Sequence, residues 1–214
     1  MPLMELIDGK SGAAAPLRNE PVQARSTARL TALLDAAAAA IDELGYERLT
    51  TAMVAERAGA SIGTVYRYFP DRIAVLQALA ARNLERILSV IASECADRGH
   101  STWREAVGAC YAGYVAAFRS EPGFASLRGG DVLDLRPPVS ATTVNSHVAQ
   151  VLESALAARF GTDASDEARF TFENAVEVMD ALVARAFARS KTGEDSFLDR
   201  GHELVLSILS ERLG

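Results

Sequence analysis

The chain has 214 residues, 49% hydrophobic and 23% charged, with a formal net charge of −6. That length allows one large or two small domains with a sizeable buried core. The acidic total excludes a protein that coats nucleic acid without sequence preference, but a sequence-specific binder needs only a local positive patch.

Residues 1–24 read as a flexible N-terminal arm, broken by Gly9, Gly12, Pro16 and Pro21. Glu5 and Asp8 interrupt its start, so it lacks the sustained apolar run of a secretory signal. No apolar stretch approaches the roughly 20 residues of a membrane span, so no membrane partner is expected. Two cysteines, Cys95 and Cys110, suit a reducing cytoplasm, where the chain is expected to work. The first helix is predicted over Ser26–Leu44, with Leu30, Leu33, Leu34, Ala37, Ala38, Ile41 and Leu44 on one stripe. Gly45 ends it.

The next stretch, from Thr50 to Phe69, predicts two short helices around a tight turn. Thr50 can accept from an unpaired amide of the first turn. Val54, Ala55 and Ala58 form a small apolar face, and Gly59 stands where the helix must stop. Ser61 can cap the second helix, with Ile62, Val65 and Phe69 inward and Thr64, Arg67 and Tyr68 outward. This is a helix-turn-helix, whose second helix enters the major groove in DNA-binding versions. Arg25, Arg29, Arg57, Arg67 and Arg72 lie in or beside it.

The run Val54-Ala55-x-x-Ala58-Gly59-x-Ser61-x-Gly63-x-x-Tyr66-x-Tyr68-Phe69, continued by Asp71, Arg72 and Leu76, resembles the signature of the TetR family of transcriptional repressors. The resemblance covers about Leu49 to Leu79. Arg72 stands where Lys is usual and Ile73 where an acidic residue is common, and Arg still binds phosphate. The resemblance implies a DNA-binding domain over residues 25–79 and a helical ligand-binding and dimerisation domain over residues 80–214. Thr64 and Arg67 are then the candidates for base edges. Thr51, Tyr66, Tyr68 and Arg72 are those for phosphate, with Ser61 and Gly63 completing the DNA-contact set.

Further along, a long helix is predicted over Asp71–Ser93, with Ile73, Leu76, Leu79, Ala80, Leu84, Ile87, Leu88 and Ile91 at helical period. A fifth helix carries Trp103, Val107, Cys110, Tyr111, Tyr114 and Phe118. Ser120-Glu121-Pro122 is expected to open a short helix reaching Leu127, and Arg128–Pro138 a loop. Helices over Val139–Phe160, Asp166–Ser190 and Ser196–Leu213 follow. No strand-like alternation occurs, so the fold class is all-α, with about nine helices.

His100, His147 and His202 lack metal-ligand spacing, and neither cysteine has a Cys-x-x-Cys partner. Neither a metal nor another cofactor is expected. No Ser-His-Asp arrangement or carboxylate pair emerges from spacing, so an enzyme is not expected. The C-terminal aromatics could fill a core. The resemblance adds an effector cavity, for which Trp103, Tyr111, Tyr114, Phe118 and Met179 are candidates. It implies a homodimer on a palindromic double-stranded DNA operator, released by a small apolar or aromatic effector. The alternative is an activator or constitutive DNA-binding regulator without an inducer.

Overall fold

In the first helix, α1 (Glu20–Leu44), the small side chains Ala36, Ala37, Ala38 and Ala40 are buried beside Leu33, Leu34 and Ile41. Alanine favours the helix and lets neighbouring helices approach closely. The computed structural model describes residues 20–127, 143–162 and 165–214. The helix therefore starts at Glu20, six positions before the expected Ser26, and takes in the end of the predicted arm; residues 1–19 of that arm lie outside the described part. Against α1 pack α2 (Thr51–Arg57) and α3 (Ile62–Tyr68), with a 3-10 turn at Tyr46–Arg48 between. Their common core includes Val54, Val65, Phe69, Leu76 and Leu79.

Three inward assignments are corrected. Leu44 is 37% exposed, Ile62 is 43% exposed and Ile73 is 39% exposed. Leu44 is the last residue of α1, and Ile62 and Ile73 stand in the first turns of their helices, all beyond the edge of the core. Phe69 is buried as the extended C-cap of α3 and not as part of its helical phase.

The helix α4 (Arg72–Ala96) spans both halves of the molecule. Asp71 caps it, accepting from the Ala74 amide at 2.8 Å. Val75, Leu76, Leu79 and Ala80 belong to the core of α1–α3, whereas Leu84, Ile91 and Cys95 belong to a second core. That second core is built with α5 (Trp103–Ser120), α6 (Val144–Phe160), α7 (Asp166–Phe187) and α8 (Asp195–Leu213). Thr102 and Glu105 close a reciprocal capping box at the start of α5.

The short helix expected after Pro122 is a turn followed by a single 3-10 turn at Phe124–Ser126. Thr143 is extended and caps α6 through the Ser146 amide, so that helix begins at Val144. Residues 128–142, with the predicted loop and the expected start of this helix at Val139, lie outside the described part. α7 stops at Phe187, three residues short of the expected end. Among the described residues there are eight α-helices and no strand, and no helix is long and apolar enough to cross a membrane.

Candidate DNA interface and ligand pocket

The α2–α3 unit is fixed by its caps. The Thr50 hydroxyl accepts from the Met53 amide at 3.2 Å. Gly59 has φ +57° with open space where a Cβ would stand, so the left-handed backbone alone requires glycine here. Ser61 Oγ accepts from the Thr64 amide at 3.1 Å and lies 2.9 Å from the Thr64 hydroxyl. The outer face of α3 holds Gly63, Tyr66 and Arg67, all exposed, with Tyr66 at 53%. A Cβ on Gly63 would meet only Ser61 Oγ, at 3.9 Å, so nothing within the chain closes over this point.

The other predicted contact residues surround that face. Thr51 Oγ1 donates to the Tyr66 hydroxyl at 3.4 Å. The Tyr68 and Ser26 hydroxyls lie 3.3 Å apart, tying α3 to α1. Arg67 lies over the Tyr68 ring, 5.6 Å from its centre. Arg72 donates to the Glu47 carbonyl at 2.6 Å, which holds its guanidinium beside the 3-10 turn. Arg57, in contrast, forms a two-pronged pair with Glu43 of α1. That hydrogen bond holds the Glu43 carboxyl below the usual carboxylate range. Arg57 thus braces two helices, while Arg25 and Arg29 are exposed on α1.

The second core contains a pocket between α4, α5, α6 and α7 that is partly open to solvent. Apolar clefts between packed helices with a few polar groups are a common setting for small-molecule sites. Ile87 and Ile91 of α4, Val148 and Leu152 of α6, and Val176 of α7 give it apolar walls. Cys110 joins them. Its neighbour Cys95 and burial both raise the Cys110 thiol pKa, so it stays protonated and counts as an apolar wall. Gly113 lies where a Cβ would come within 2.6 Å of Val90 Cγ1, so its lack of a side chain lets α4 and α5 close together.

Of the five predicted ligand residues, Tyr114 and Met179 line this pocket. Trp103, Tyr111 and Phe118 are buried but do not line it. Tyr111 donates to the Leu198 carbonyl at 2.7 Å, and burial pushes its pKa up to about 12, so it is a neutral bridge from α5 to α8. Phe118 stacks near Phe187, with ring centres 5.0 Å apart. Trp103 sits under the Arg104 guanidinium at 4.4 Å. Tyr114 donates to Asp180 at 2.6 Å.

The residues that spacing did not single out join the pocket to the α1–α3 head. Glu121 pairs with Arg86 of α4 at 2.5 Å. The Gly123 amide donates to Asp42 of α1 at 3.3 Å. Phe124 is fully buried, 5.3 Å from Phe118 and 6.1 Å from the pocket residue Tyr114 by ring centres. Leu127 enters the head core, and the buried Asn83 amide donates to its carbonyl at 2.6 Å. The segment 121–127 therefore touches the pocket wall at one end and the head at the other. No local pattern announces it, because each contact is made across the fold.

At the far end of α4, one ligand atom each from Glu94, Asp97 and His100 lies within 4.8 Å of the others, so this trio could hold a cation. His100 Nε2 and Glu94 Oε2 already share a hydrogen bond at 3.0 Å, which raises the His100 pKa. Spacing between histidines does not bring out this set, because two of its three members are carboxylates.

Comparison with known proteins places the whole arrangement. Residues 33–79 match the family described as bacterial regulatory proteins, tetR family. Residues 101–213 match the tetracyclin repressor-like C-terminal domain. A TetR-family transcriptional regulator from Streptomyces coelicolor of solved structure is 34% identical, with a TM-score of 0.73 over 86% of this chain and 99% of that one. The fatty acid degradation regulator FadR from Bacillus halodurans shares the fold at 16% identity and a TM-score of 0.60, over 83% of this chain and 94% of that one. The HTH-type transcriptional repressor KstR from Rhodococcus jostii (strain RHA1) is 46% identical over 55 residues. That match spans 26% of this chain and 26% of the curated relative's length. With the C-terminal match alone spanning more than half of the sequence, the chain belongs to the TetR family of bacterial transcriptional regulators.

Proposed function

We propose that the protein is a ligand-responsive transcriptional repressor that binds a palindromic operator as a homodimer and lets go when a small, mainly apolar effector fills the pocket. The observation that carries this reading is α4, which stands in the head core at one end and walls the pocket at the other. Residues 25–79 act as the DNA-binding unit and residues 80–214 as the effector and dimer unit. An effector that prefers one arrangement of α4 shifts the head, whereas one that binds both arrangements equally shifts nothing. A coupling on the order of 1–3 kcal/mol is expected, and operator must weaken effector binding by the same factor. Finding a ligand by thermal shift and measuring operator affinity at saturation tests the reading; a pocket ligand that leaves operator affinity unchanged refutes release.

The face of α3 divides by role. Thr64 and Arg67 address base edges, while Thr51, Tyr66, Tyr68 and Arg72 hold phosphates, with Ser61 and Gly63 allowing close approach. Arg67→Ala should then cost roughly 1–3 kcal/mol and relax preference at one position. Tyr66→Ala should weaken all sequences about equally. Selection of bound DNA from a random pool, repeated for both variants, reads the difference. Uniform loss for Arg67→Ala would move that residue to the phosphate group.

For the dimer, α7 and α8 pair with their symmetry mates. Val176 and Leu209 are buried within the protomer, so charges there would damage the fold itself. Phe170 is the suitable probe: it is 66% exposed, one turn before the exposed Asn174 and on the same face as Glu177 and Ala181. Large aromatic rings are enriched at protein interfaces. Phe170→Glu should shift the light-scattering mass from two protomers toward one and weaken operator binding, with little change in melting temperature. An unchanged mass would place the interface elsewhere.

A further inference from the structure

Among the described residues that line the pocket, Arg86 is the only charged one. Tyr114 already donates its phenolic proton to Asp180. The other walls offer hydrocarbon or a protonated thiol. A guanidinium at the rim of such walls has water on one side only and favours an anionic partner on the other. At present Glu121 supplies it, 2.5 Å from Arg86 Nη1. Glu121 is not itself a wall residue. The Arg86 side chain is 39% exposed and that of Glu121 is 31% exposed, so the pair stands at a rim that water reaches.

We infer that the effector is an anionic amphiphile, an apolar chain ending in a carboxylate or a comparable anion, which takes Arg86 from Glu121 and so opens the latch between pocket and head. This inference rests on the proposed effector pocket. The exchange replaces one guanidinium–carboxylate pair with another, in which the guanidinium can donate two parallel hydrogen bonds to the carboxylate. Glu121, already partly exposed, returns to water at little cost. Burial of the apolar chain among Ile87, Val148 and Val176 then supplies the net drive. A neutral chain would fill the same walls and leave the Arg86–Glu121 pair intact. A cationic chain would meet Arg86 and be repelled.

The consequence follows from where Glu121 stands. It is the C-cap of α5 and the first residue of the segment that puts Gly123 against Asp42 and Leu127 into the head core. Phe124 couples that segment to Tyr114 on the pocket wall. Releasing Glu121 removes the ionic tie between α4 and this segment, on the side of α4 that the ligand occupies.

The test uses the full-length protein and three probes of one chain length: decanoate, 1-decanol and decylamine. Calorimetry gives their affinities, and fluorescence anisotropy on selected operator DNA gives release. Decanoate is expected to bind wild type about tenfold or more tighter than 1-decanol, because the pair it forms is enclosed by the pocket walls whereas the rim pair it displaces is weakened by water. Arg86→Gln should abolish that preference while still binding 1-decanol, which shows that its pocket is intact. Glu121→Gln should bind decanoate more tightly than wild type and hold operator more weakly without any probe. Equal binding of decanoate and 1-decanol to wild type overturns the inference, as does a decanoate preference that survives Arg86→Gln, or failure of all three probes to bind. Those outcomes leave the repressor reading standing. Failure to bind any selected DNA defeats that reading instead, while the probe affinities still decide the role of Arg86.

Discussion

Replacing Gly123 with alanine should be among the most damaging single-methyl changes in the chain. Its φ of +71° is left-handed, which costs a residue with a Cβ about 1–3 kcal/mol when the fold enforces it. The added Cβ would also stand 2.9 Å from the Ala38 carbonyl oxygen and 3.2 Å from Ile41 Cγ2. The Ala38 oxygen is backbone in the middle of α1 and cannot swing aside as a side chain would, so overpacking adds about 1–3 kcal/mol more. Gly161 provides the internal control. It has φ +69° with nothing within 4 Å of its missing Cβ, so Gly161→Ala carries the backbone cost alone. Urea denaturation of both variants separates the two effects, since a pure stability change moves the midpoint at constant slope. Gly123→Ala should lose more than Gly161→Ala by the overpacking amount. Equal losses would mean that residues 121–127 are not seated against α1 in solution.

Phe124→Ala is expected to cost about 3–5 kcal/mol, the usual range for removing a fully buried aromatic ring. The ring is 0% exposed and sits edge-on to both Tyr114 and Phe118. The cavity would open between the pocket wall and the segment that reaches the head. Phe124→Leu keeps most of the apolar volume and should remain folded, with a smaller drop in melting temperature. In that variant the reciprocal effect of effector and operator should shrink, because the rigid contact between Tyr114 and the segment is gone. Differential scanning calorimetry checks the first expectation, and operator titration with and without effector checks the second. Full coupling in Phe124→Leu would route the signal through α4 alone.

The parts of this molecule that short-range rules govern could be read from residue order. Thr50 and Ser61 accept from the amides three residues on, and Gly59 takes the left-handed conformation. The stripe from Trp103 to Phe118 is buried along α5. Other features depend on where helices meet. Periodicity puts Tyr111 and Tyr114 on one stripe, yet the first phenol ends at the Leu198 carbonyl of α8 and the second at the Asp180 carboxylate of α7, because different helices pack beside each. Ile62 and Ile73 have the right residue type for burial but stand past the edge of the head core. Pro122 signals the start of a helix, and the chain instead turns at Gly123 to press against α1. Arg86 and Glu121 carry no sequence signal at all, since one lies mid-helix and the other at a helix end, joined only by the fold.

Leu127 has a practical consequence for anyone who would graft one regulator's reading head onto another's sensor. The head is not bounded by a single cut in the sequence. It closes over a leucine supplied from beyond α5, whose carbonyl is held by Asn83. A chimera joined within α4 would import a foreign side chain at that seat and a foreign turn against Ala38 and Ile41. Transplants that carry residues 121–127 together with the head keep the socket and its plug from the same parent; a junction in α4 alone leaves them mismatched.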